Sequence, residues 1–276
     1  MTHRQILEKA VEELSKAGVD EASNDAFVLF EEAFSMNRTG YLIHGSEEAD
    51  ENRIRVYEDM IAKRASRIPL QYITGKAYFM GLVFNVTPDV LIPRFDTEIL
   101  VEEALKYISS DANVLDMCTG SGCIAVSIAH GSGAKVTGAD ISIEALKVAK
   151  TNRELNNVTN VDFINSDMFE AVNGEFDMIV SNPPYIRTGE VLKLMPEVLE
   201  HEPHLALDGH EDGLFFYEIL ARDSLRYLKP SGMLIMEIGY DQAEEVSRLL
   251  DINNFTDIRV IKDLAGLDRV ICGRRK

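Results

Sequence analysis

The chain from Ala112 onward alternates between short apolar runs and amphipathic runs, and this alternation most constrains its fold. The apolar runs have the length and composition of strands: 114–117, 135–139, 161–164, 176–180, 232–238, 257–261 and 269–272. Runs with helical periodicity lie between most of them, at 122–130, 142–156, 213–228 and 241–252. Strands that alternate with helices form a mostly parallel sheet covered on both faces. The sequence therefore predicts an open, doubly wound α/β domain.

The first 70 residues have the pattern of a small helical bundle. Thr2 and Gln5 have the spacing of a capping box, and one apolar stripe follows them as far as Gly18. A second stripe covers 26–34, and a third long helix is predicted over 47–67. Positive charge concentrates on this last helix, on Arg53, Arg55, Lys63, Arg64 and Arg67. We interpret these side chains as a solvated face; the alternative is a handle for an acidic or nucleic-acid-like partner.

A short connecting region separates the bundle from the α/β pattern. Pro69 ends the last bundle helix, and two strand-like runs on either side of Gly81 predict a β-hairpin. After the hairpin, Asp96 or Thr97 is expected to cap a helix that ends near Ile108. The predicted organisation is a helical substrate-docking domain at 1–70, a hairpin linker at 71–90 and the α/β domain at 91–276.

Composition and charge exclude some classes of protein. The chain is 46% hydrophobic, but no apolar run approaches the roughly 18 residues of a membrane span. Its formal net charge is −18, and both parts of the chain are acidic, which disfavours an enzyme that binds naked nucleic acid.

The cysteines and the N-terminus bear on the compartment. Cys118, Cys123 and Cys272 are odd in number and lack metal-ligand spacing, so no metal site is expected. The N-terminus runs directly into an amphipathic pattern without the features of a signal or transit peptide. We therefore expect a cytoplasmic protein, and we expect it to be a monomer.

A glycine-containing loop follows the first strand of the α/β part and opens a helix. Its residues are Asp116, Met117, Cys118, Thr119, Gly120, Ser121 and Gly122. Glycine allows the backbone to approach a ligand closely at the carboxyl end of a strand. The loop lacks the Lys-Ser or Lys-Thr pair of a phosphate loop and the spacing of a dinucleotide fingerprint. An ordinary strand-to-helix turn is the alternative interpretation.

Acidic residues follow the next two strands. Asp140 ends the second strand, where a carboxylate can accept hydrogen bonds from both hydroxyls of a ribose. It could instead cap the next helix, but Ser142 can do that itself. Asp167 and Met168 follow the third strand and could contact an adenine amine and ring, or could be a cap and a core methionine.

The fourth strand leads into a stiff turn, Ser181-Asn182-Pro183-Pro184-Tyr185. Two consecutive prolines fix φ and supply no N–H donors, so the turn is rigid. An amide, outward carbonyls and an aromatic ring are then held at the end of a strand, where they could bind a small planar group. Four such loops at one sheet edge form one crevice. A ribose carboxylate without phosphate-binding features fits S-adenosylmethionine better than ATP or NAD.

Taken together, these segments resemble the HemK/PrmC family of protein-(glutamine-N5) methyltransferases, a group of class I methyltransferases. The shared motifs lie at 69–75 (PLQYITG), 90–98 (VLIPRFDTE), 118–122, 140–142, 181–186, 202–203, 212–214, 237–239 and 262–266. The resemblance covers nearly the whole chain. The Asn-Pro-Pro-Tyr motif alone would be less specific, because DNA adenine-N6 methyltransferases share it.

The resemblance implies a seven-stranded catalytic domain that methylates the glutamine in the Gly-Gly-Gln loop of class-1 peptide release factors. It places the cofactor on the loop from Cys118 to Gly122, on Asp140 and beside Met168. It also implies that Asn182, Pro183, Pro184 and Tyr185 bind the substrate. Two residues depart from the usual pattern. Cys118 replaces a common glycine and is expected to fit if its φ is negative, and Met168 replaces the aromatic ring of some members.

A mechanism follows for a planar amide substrate. We expect the Asn182 side-chain oxygen and the Pro183 carbonyl to accept the two amide hydrogens, and Tyr185 to pack on the amide plane. The alternatives are a glutamine of a ribosomal protein, the adenine-N6 position of a nucleic acid, and a binding protein that has lost activity.

Overall fold

The computed structural model describes all 276 residues, which form two compact units. The first comprises Met1–Gly75 and Met195–His201, and the second comprises Lys76–Leu194 and Glu202–Lys276. No local sequence pattern indicates that the segment Met195–His201 belongs with the first unit. The division into 1–70, 71–90 and 91–276 stays a prediction.

The first unit is helical, as its apolar stripes predict. Its helices are α1 (His3–Lys16), α2 (Ala22–Phe34), α3 (Arg38–His44), α4 (Glu51–Ala65) and α5 (Leu70–Thr74), with a further short helix at Pro196–His201. The capping box is present: Gln5 N donates to Thr2 Oγ1, and Thr2 N donates to Gln5 Oε1 at 3.0 Å. Leu14, Phe30 and Tyr57 are among the buried core residues, and Phe30 and Tyr57 meet edge to face.

The basic residues of α4 do not all form a solvated face. Arg64 is buried: its Nε donates to Asp25 Oδ2 at 2.8 Å and its Nη2 to Glu197 Oε1 at 3.0 Å. Arg67, just after the helix, donates to Glu197 Oε2 at 2.6 Å. The interpretation as a solvated face is therefore wrong for these two residues. Two carboxylates from distant parts of the chain explain the difference, and the local sequence of α4 contains neither.

The second unit contains the hairpin and the α/β domain. Its strands are β1 (Lys76–Phe79), β2 (Leu82–Asn85), β3 (Asn113–Met117), β4 (Lys135–Asp140), β5 (Val161–Asn165), β6 (Phe176–Ser181), β7 (Leu228–Glu237), β8 (Phe255–Lys262) and β9 (Asp268–Arg275). Its helices are α6 (Phe95–Leu105), α7 (Cys123–Ser132), α8 (Ile143–Leu155), α9 (Thr188–Val191), α11 (Phe215–Asp223) and α12 (Ala243–Ile252), where α10 denotes Pro196–His201 of the first unit.

Helix α6 begins differently from the prediction. Arg94 occupies the N-cap position, and its side chain makes no capping hydrogen bond. Asp96 and Thr97 therefore do not cap the helix. They lie in its first turn, where the Thr97 side chain is buried and bonded to Glu237 of another element.

The seven strands β3 to β9 form one sheet in the order β5-β4-β3-β6-β7-β9-β8. The five strands from β5 to β7 run parallel, and β9 pairs antiparallel with both β7 and β8. This arrangement confirms the predicted doubly wound α/β fold. The chain proceeds in one direction from β3 to β5 and then returns to place β6 on the other side of β3. Ligands of open α/β sheets bind at such a switch point.

Apolar cores lie on both faces of this sheet, as the continuous apolar strands require. Val114 and Val180 face one core, and Leu115 and Ile179 face the other. No helix of the structure combines the length and the apolar composition needed to cross a membrane.

The buried ion pairs of the first unit give a stability prediction. Arg64→Met should lower the free energy of unfolding by about 3–5 kcal/mol, because it leaves the buried Asp25 without its cation, while Glu197 keeps only Arg67. Urea denaturation followed by circular dichroism measures the change. The matched control is Lys63→Met, because Lys63 pairs with Asp59 on the exposed side of the same helix. Equal, small losses in both variants would contradict the anchoring role of Arg64.

Candidate active site

A cavity of about 320 Å³ lies at the carboxyl ends of the central parallel strands. This volume is within the usual range of small-molecule sites, roughly 300–1,000 Å³. The loops after β3, β4, β5 and β6 line it, together with parts of 89–97 and 203–216. The predicted site residues on its surface are Cys118, Thr119, Gly120, Ser121, Asp140, Asp167, Met168, Asn182 and Pro184. The structure thus brings the four sequence-selected loops together at one place.

Two of the predicted cofactor residues support the cavity without lining it. Asp116 is fully buried, and its Oδ2 accepts hydrogen bonds from Thr119 Oγ1 at 2.5 Å and from Ala125 N at 3.1 Å. Burial raises the pKa of Asp116 to about 7. Gly122 is the N-cap residue of helix α7 and has a φ of +78°, and a Cβ there would lie 3.0 Å from the Ala149 side chain. Both residues fix the path of the loop.

The backbone at Cys118 corrects the expectation from the sequence. Its φ is +62°, so this residue adopts the left-handed conformation that favours glycine. The condition under which the cysteine was expected to fit, a negative φ, is therefore not met. Met168 also has a positive φ, of +43°. Burial raises the pKa of the Cys118 thiol, which keeps it protonated at neutral pH.

Asp140 connects two of the loops. Its Oδ2 accepts a hydrogen bond from Gly120 N at 2.8 Å, and its Oδ1 accepts one from Ser142 N at 2.9 Å. Ser142 Oγ accepts from Ala145 N at 3.1 Å and caps α8 itself. Burial raises the pKa of Asp140, and the backbone N–H donors oppose that shift. Each carboxylate oxygen keeps a lone pair for a ligand hydroxyl.

The stiff turn after β6 has its amide at the cavity surface. Asn182 Nδ2 donates to Thr97 Oγ1 at 3.2 Å, and Pro183 and Pro184 are buried. The Tyr185 hydroxyl donates to Glu237 Oε1 at 3.0 Å. The pKa of Tyr185 is raised, mainly by burial and also by the neighbouring Glu237 carboxylate. Neither Pro183 nor Tyr185 is among the residues that line the cavity.

Sequence reasoning missed several residues of the cavity. Arg94, Thr97 and Leu205 line it, and Phe215 and Phe216 add two aromatic rings that meet nearly perpendicularly. Arg94 and Thr97 lie within the segment 90–98 that supported the family resemblance, but the local sequence indicated no role for Arg94 and only a helix cap for Thr97. The aromatic pair follows Asp212-Gly213-Leu214, and no local pattern distinguishes it from a core helix.

The charges of the lining restrict what the cavity binds. Its carboxylates are Asp89, Asp140 and Asp167, and its basic side chain, Arg94, pairs with the buried Glu202 at 2.5 Å. The lining contains no lysine. An acidic cavity without a free cation disfavours phosphates and favours a neutral or cationic organic ligand.

The packing of the glycine loop against β4 gives a second stability prediction. Gly138→Ala should lower the free energy of unfolding by about 1–3 kcal/mol, because overpacking displaces well-packed neighbours. Its Cβ would lie 2.6 Å from the Phe163 ring and 2.8 Å from Thr119 Oγ1. Gly189→Ala is the matched control, because its Cβ would meet no atom within 4 Å. Urea denaturation of both variants measures the difference, and equal stabilities would contradict the close packing at Gly138.

Comparison with known proteins agrees with this geometry. Residues 5–75 match the family described as PrmC N-terminal domain, and residues 94–210 match the family described as Methyltransferase small domain. The chain is 42% identical to a release factor glutamine methyltransferase of Clostridium acetobutylicum, over 100% of this chain and 99% of the other. It is 41% identical to one of Fusobacterium nucleatum subsp. nucleatum, over 98% of this chain and 78% of the other.

The fold also matches a solved structure, that of a methyltransferase from Pyrococcus furiosus. The TM-score is 0.57 at 20% identity, over 78% of this chain and 98% of the other, which supports the fold alone. The sequence identity with the first two relatives extends over both units. The chain belongs to the family of release factor glutamine methyltransferases.

Proposed function

We propose that this protein transfers a methyl group from S-adenosylmethionine to the side-chain amide nitrogen, N5, of the glutamine in the Gly-Gly-Gln loop of class-1 peptide release factors. The observation that carries the proposal is the placement of Asn182 on the cavity surface, at the end of a rigid Pro-Pro turn. The names of the full-length relatives support the release factor as substrate.

The cavity fits the methyl donor by its charge and its donor and acceptor groups. S-adenosylmethionine, when bound, supplies an electrophilic methyl group on a positively charged sulfur. Asp140 would accept hydrogen bonds from the ribose hydroxyls, while Asp167 and Met168 would contact the adenine. Cys118 to Ser121 would hold the remainder of the molecule against the backbone. The acidic lining suits a cation, and its lack of lysine distinguishes it from a nucleotide phosphate site.

The residues of the stiff turn would orient a poor nucleophile. The lone pair of an amide nitrogen is delocalised into its carbonyl, so orientation and electrostatic complementarity must contribute most of the rate increase. Asn182 Oδ1 and the Pro183 carbonyl would accept the two amide hydrogens. Proline adds no competing N–H donor and fixes the direction of the carbonyl. The Tyr185 hydroxyl bonds to Glu237, which holds the end of the turn in place.

Two other substrates use the same chemistry. A glutamine of a ribosomal protein presents the same amide, and the exocyclic amine of adenine also has a delocalised lone pair. The net charge of −18 disfavours a polyanionic nucleic acid, which a protein usually binds through a basic surface. With a release factor as substrate, the protein would act in the cytoplasm, as a monomer and without DNA.

Labelled methyl transfer tests the choice of substrate. The purified protein is incubated with labelled S-adenosylmethionine and with purified release factor, ribosomes or DNA, and mass spectrometry locates the methyl group. We expect label on one glutamine of the release factor. Label on adenine, or on a ribosomal protein and not on the release factor, would contradict the proposal.

Two alanine variants should separate catalysis from methyl-donor binding. Asn182→Ala should lower kcat by about 10²–10³-fold, because a preorganised acceptor for the reacting amide is lost. Its affinity for S-adenosylmethionine should stay close to that of the wild type. Asp140→Ala should instead weaken that affinity by at least about tenfold, since hydrogen bonds to a charged group contribute about 1.5–3 kcal/mol.

Turnover assays and isothermal titration calorimetry measure the two effects. Asn173→Ala is the control, because Asn173 is exposed and does not line the cavity. If Asn182→Ala kept wild-type turnover, the role assigned to Asn182 would be wrong. Wild-type affinity in Asp140→Ala would contradict the ribose contact.

A further inference from the structure

A chain of hydrogen bonds holds the Asn182 side chain from one side. Asn182 Nδ2 donates to Thr97 Oγ1 at 3.2 Å, and Thr97 Oγ1 donates to Glu237 Oε2 at 2.5 Å. Thr97 and Glu237 are each only 2% exposed. The chain joins the turn after β6 to the first turn of α6 and to the end of β7. Water therefore has little access to Thr97 and Glu237, the two residues through which the chain of hydrogen bonds runs to Asn182.

The chemistry of these groups gives the chain a direction. Burial raises the pKa of Glu237, while the hydrogen bonds from Thr97 and Tyr185 and the charge of Arg269 oppose that shift and favour the ionised form. An ionised carboxylate only accepts hydrogen bonds, so the single hydroxyl proton of Thr97 is directed to Glu237. The Thr97 oxygen can then only accept a hydrogen bond from Asn182. An amide can donate that hydrogen bond with its NH₂ group but not with its oxygen. The side of Asn182 that faces Thr97 must therefore be Nδ2, which leaves Oδ1 free to face the cavity.

The carboxylate at the end of this chain is itself held on its other side. Glu237 Oε1 accepts a hydrogen bond from the Tyr185 hydroxyl at 3.0 Å, and the Tyr217 hydroxyl donates to the Glu237 main-chain oxygen at 3.0 Å. The raised pKa of Tyr185 keeps its hydroxyl protonated and therefore a donor. Both carboxylate oxygens thus have fixed partners, and the direction of the chain cannot be reversed by rotating the carboxylate.

We propose that Thr97 and Glu237 are positioning residues that fix which end of the Asn182 amide faces the cavity. With Oδ1 toward the cavity, the site presents an acceptor, which binds the NH₂ group of glutamine and repels the carboxylate of glutamate. The two residues would thereby contribute to the choice of amide over acid. This inference rests on the proposed function, because it assigns a purpose to Asn182 in amide methylation.

Thr97→Val tests the inference with almost no change of shape. Valine cannot accept a hydrogen bond from Asn182 Nδ2, so the Asn182 side-chain amide is free to rotate by about 180° and exchange the positions of Oδ1 and Nδ2. We expect kcat to fall about 10–100-fold, and the affinity for S-adenosylmethionine by calorimetry to stay within about twofold of wild type, because the ribose contact is unchanged. Thr97→Ser keeps the hydroxyl and should restore most of the turnover.

The amide-to-acid preference provides a readout that a merely structural role would not change. The competitor is a release factor in which glutamate replaces the target glutamine. It should inhibit the wild type weakly and Thr97→Val at least about tenfold more strongly, because Asn182 can then present Nδ2 to the carboxylate. Wild-type turnover together with an unchanged preference in Thr97→Val would overturn the proposal. So would equal losses in Thr97→Ser and Thr97→Val.

A double-mutant cycle tests the route through Glu237. In Glu237→Gln, the Tyr185 donor selects the amide oxygen, so the amide NH₂ faces Thr97 and the direction of the chain reverses. Glu237→Gln should therefore lower kcat in the wild type but add little in the Thr97→Val background. Full additivity of the two losses, with both variants folded by circular dichroism, would contradict a shared route.

Nuclear magnetic resonance separates this inference from the proposed function. The Asn182 side-chain ¹⁵N resonance is assigned by its disappearance in Asn182→Ala. One of its two protons should exchange slowly with water in the wild type and rapidly in Thr97→Val. If the wild type methylates no glutamine but shows this difference, the proposed function fails while the fixed orientation stands. Equal exchange in the two proteins would overturn the orientation.

Discussion

The site depends on two neighbouring strands, β3 and β6, that end at the same level. Met117 and Ser181 are partners in the parallel register, and Ser181 Oγ donates to Met117 O at 2.7 Å. This pairing places the start of the glycine loop beside the start of the Pro-Pro turn. A ligand held by the first would therefore be adjacent to Asn182 and Pro183 in the second. A shift of one residue in the register would turn Asn182 toward the other face of the sheet.

Buried polar groups fix the two sides of this crevice. Asp140 joins the first and second loops through Gly120 N and Ser142 N. Glu237 joins the Pro-Pro turn to α6 through Tyr185 and Thr97. Each carboxylate is costly to bury alone, but its hydrogen bonds offset that cost and hold the loops in a defined geometry. The same principle operates in the first unit, where Arg64 joins Asp25 to Glu197.

The sequence predicted the fold and the four loops that line the cavity after β3, β4, β5 and β6, because both follow from local patterns. Strand and helix periodicity indicated the doubly wound sheet, and the topology of such sheets brought Asp140 and Asn182 to one edge. What it could not predict depends on contacts between distant residues. Thr97 is an ordinary first-turn residue until Glu237, 140 positions later, lies beside it. The pairing of Arg64 with Glu197 is equally invisible to local analysis, and so is the positive φ of Cys118.

The role proposed for Asn182 and Pro183 is to hold the reacting amide of a glutamine. It is tested most directly by a crystal structure of the protein with S-adenosylhomocysteine and a release factor. We expect the glutamine nitrogen to lie about 2.9 Å from both Asn182 Oδ1 and the Pro183 carbonyl oxygen, at ordinary hydrogen-bond distance. A glutamine amide bound elsewhere in the cavity, or an Asn182 whose Nδ2 faces the substrate, would contradict it.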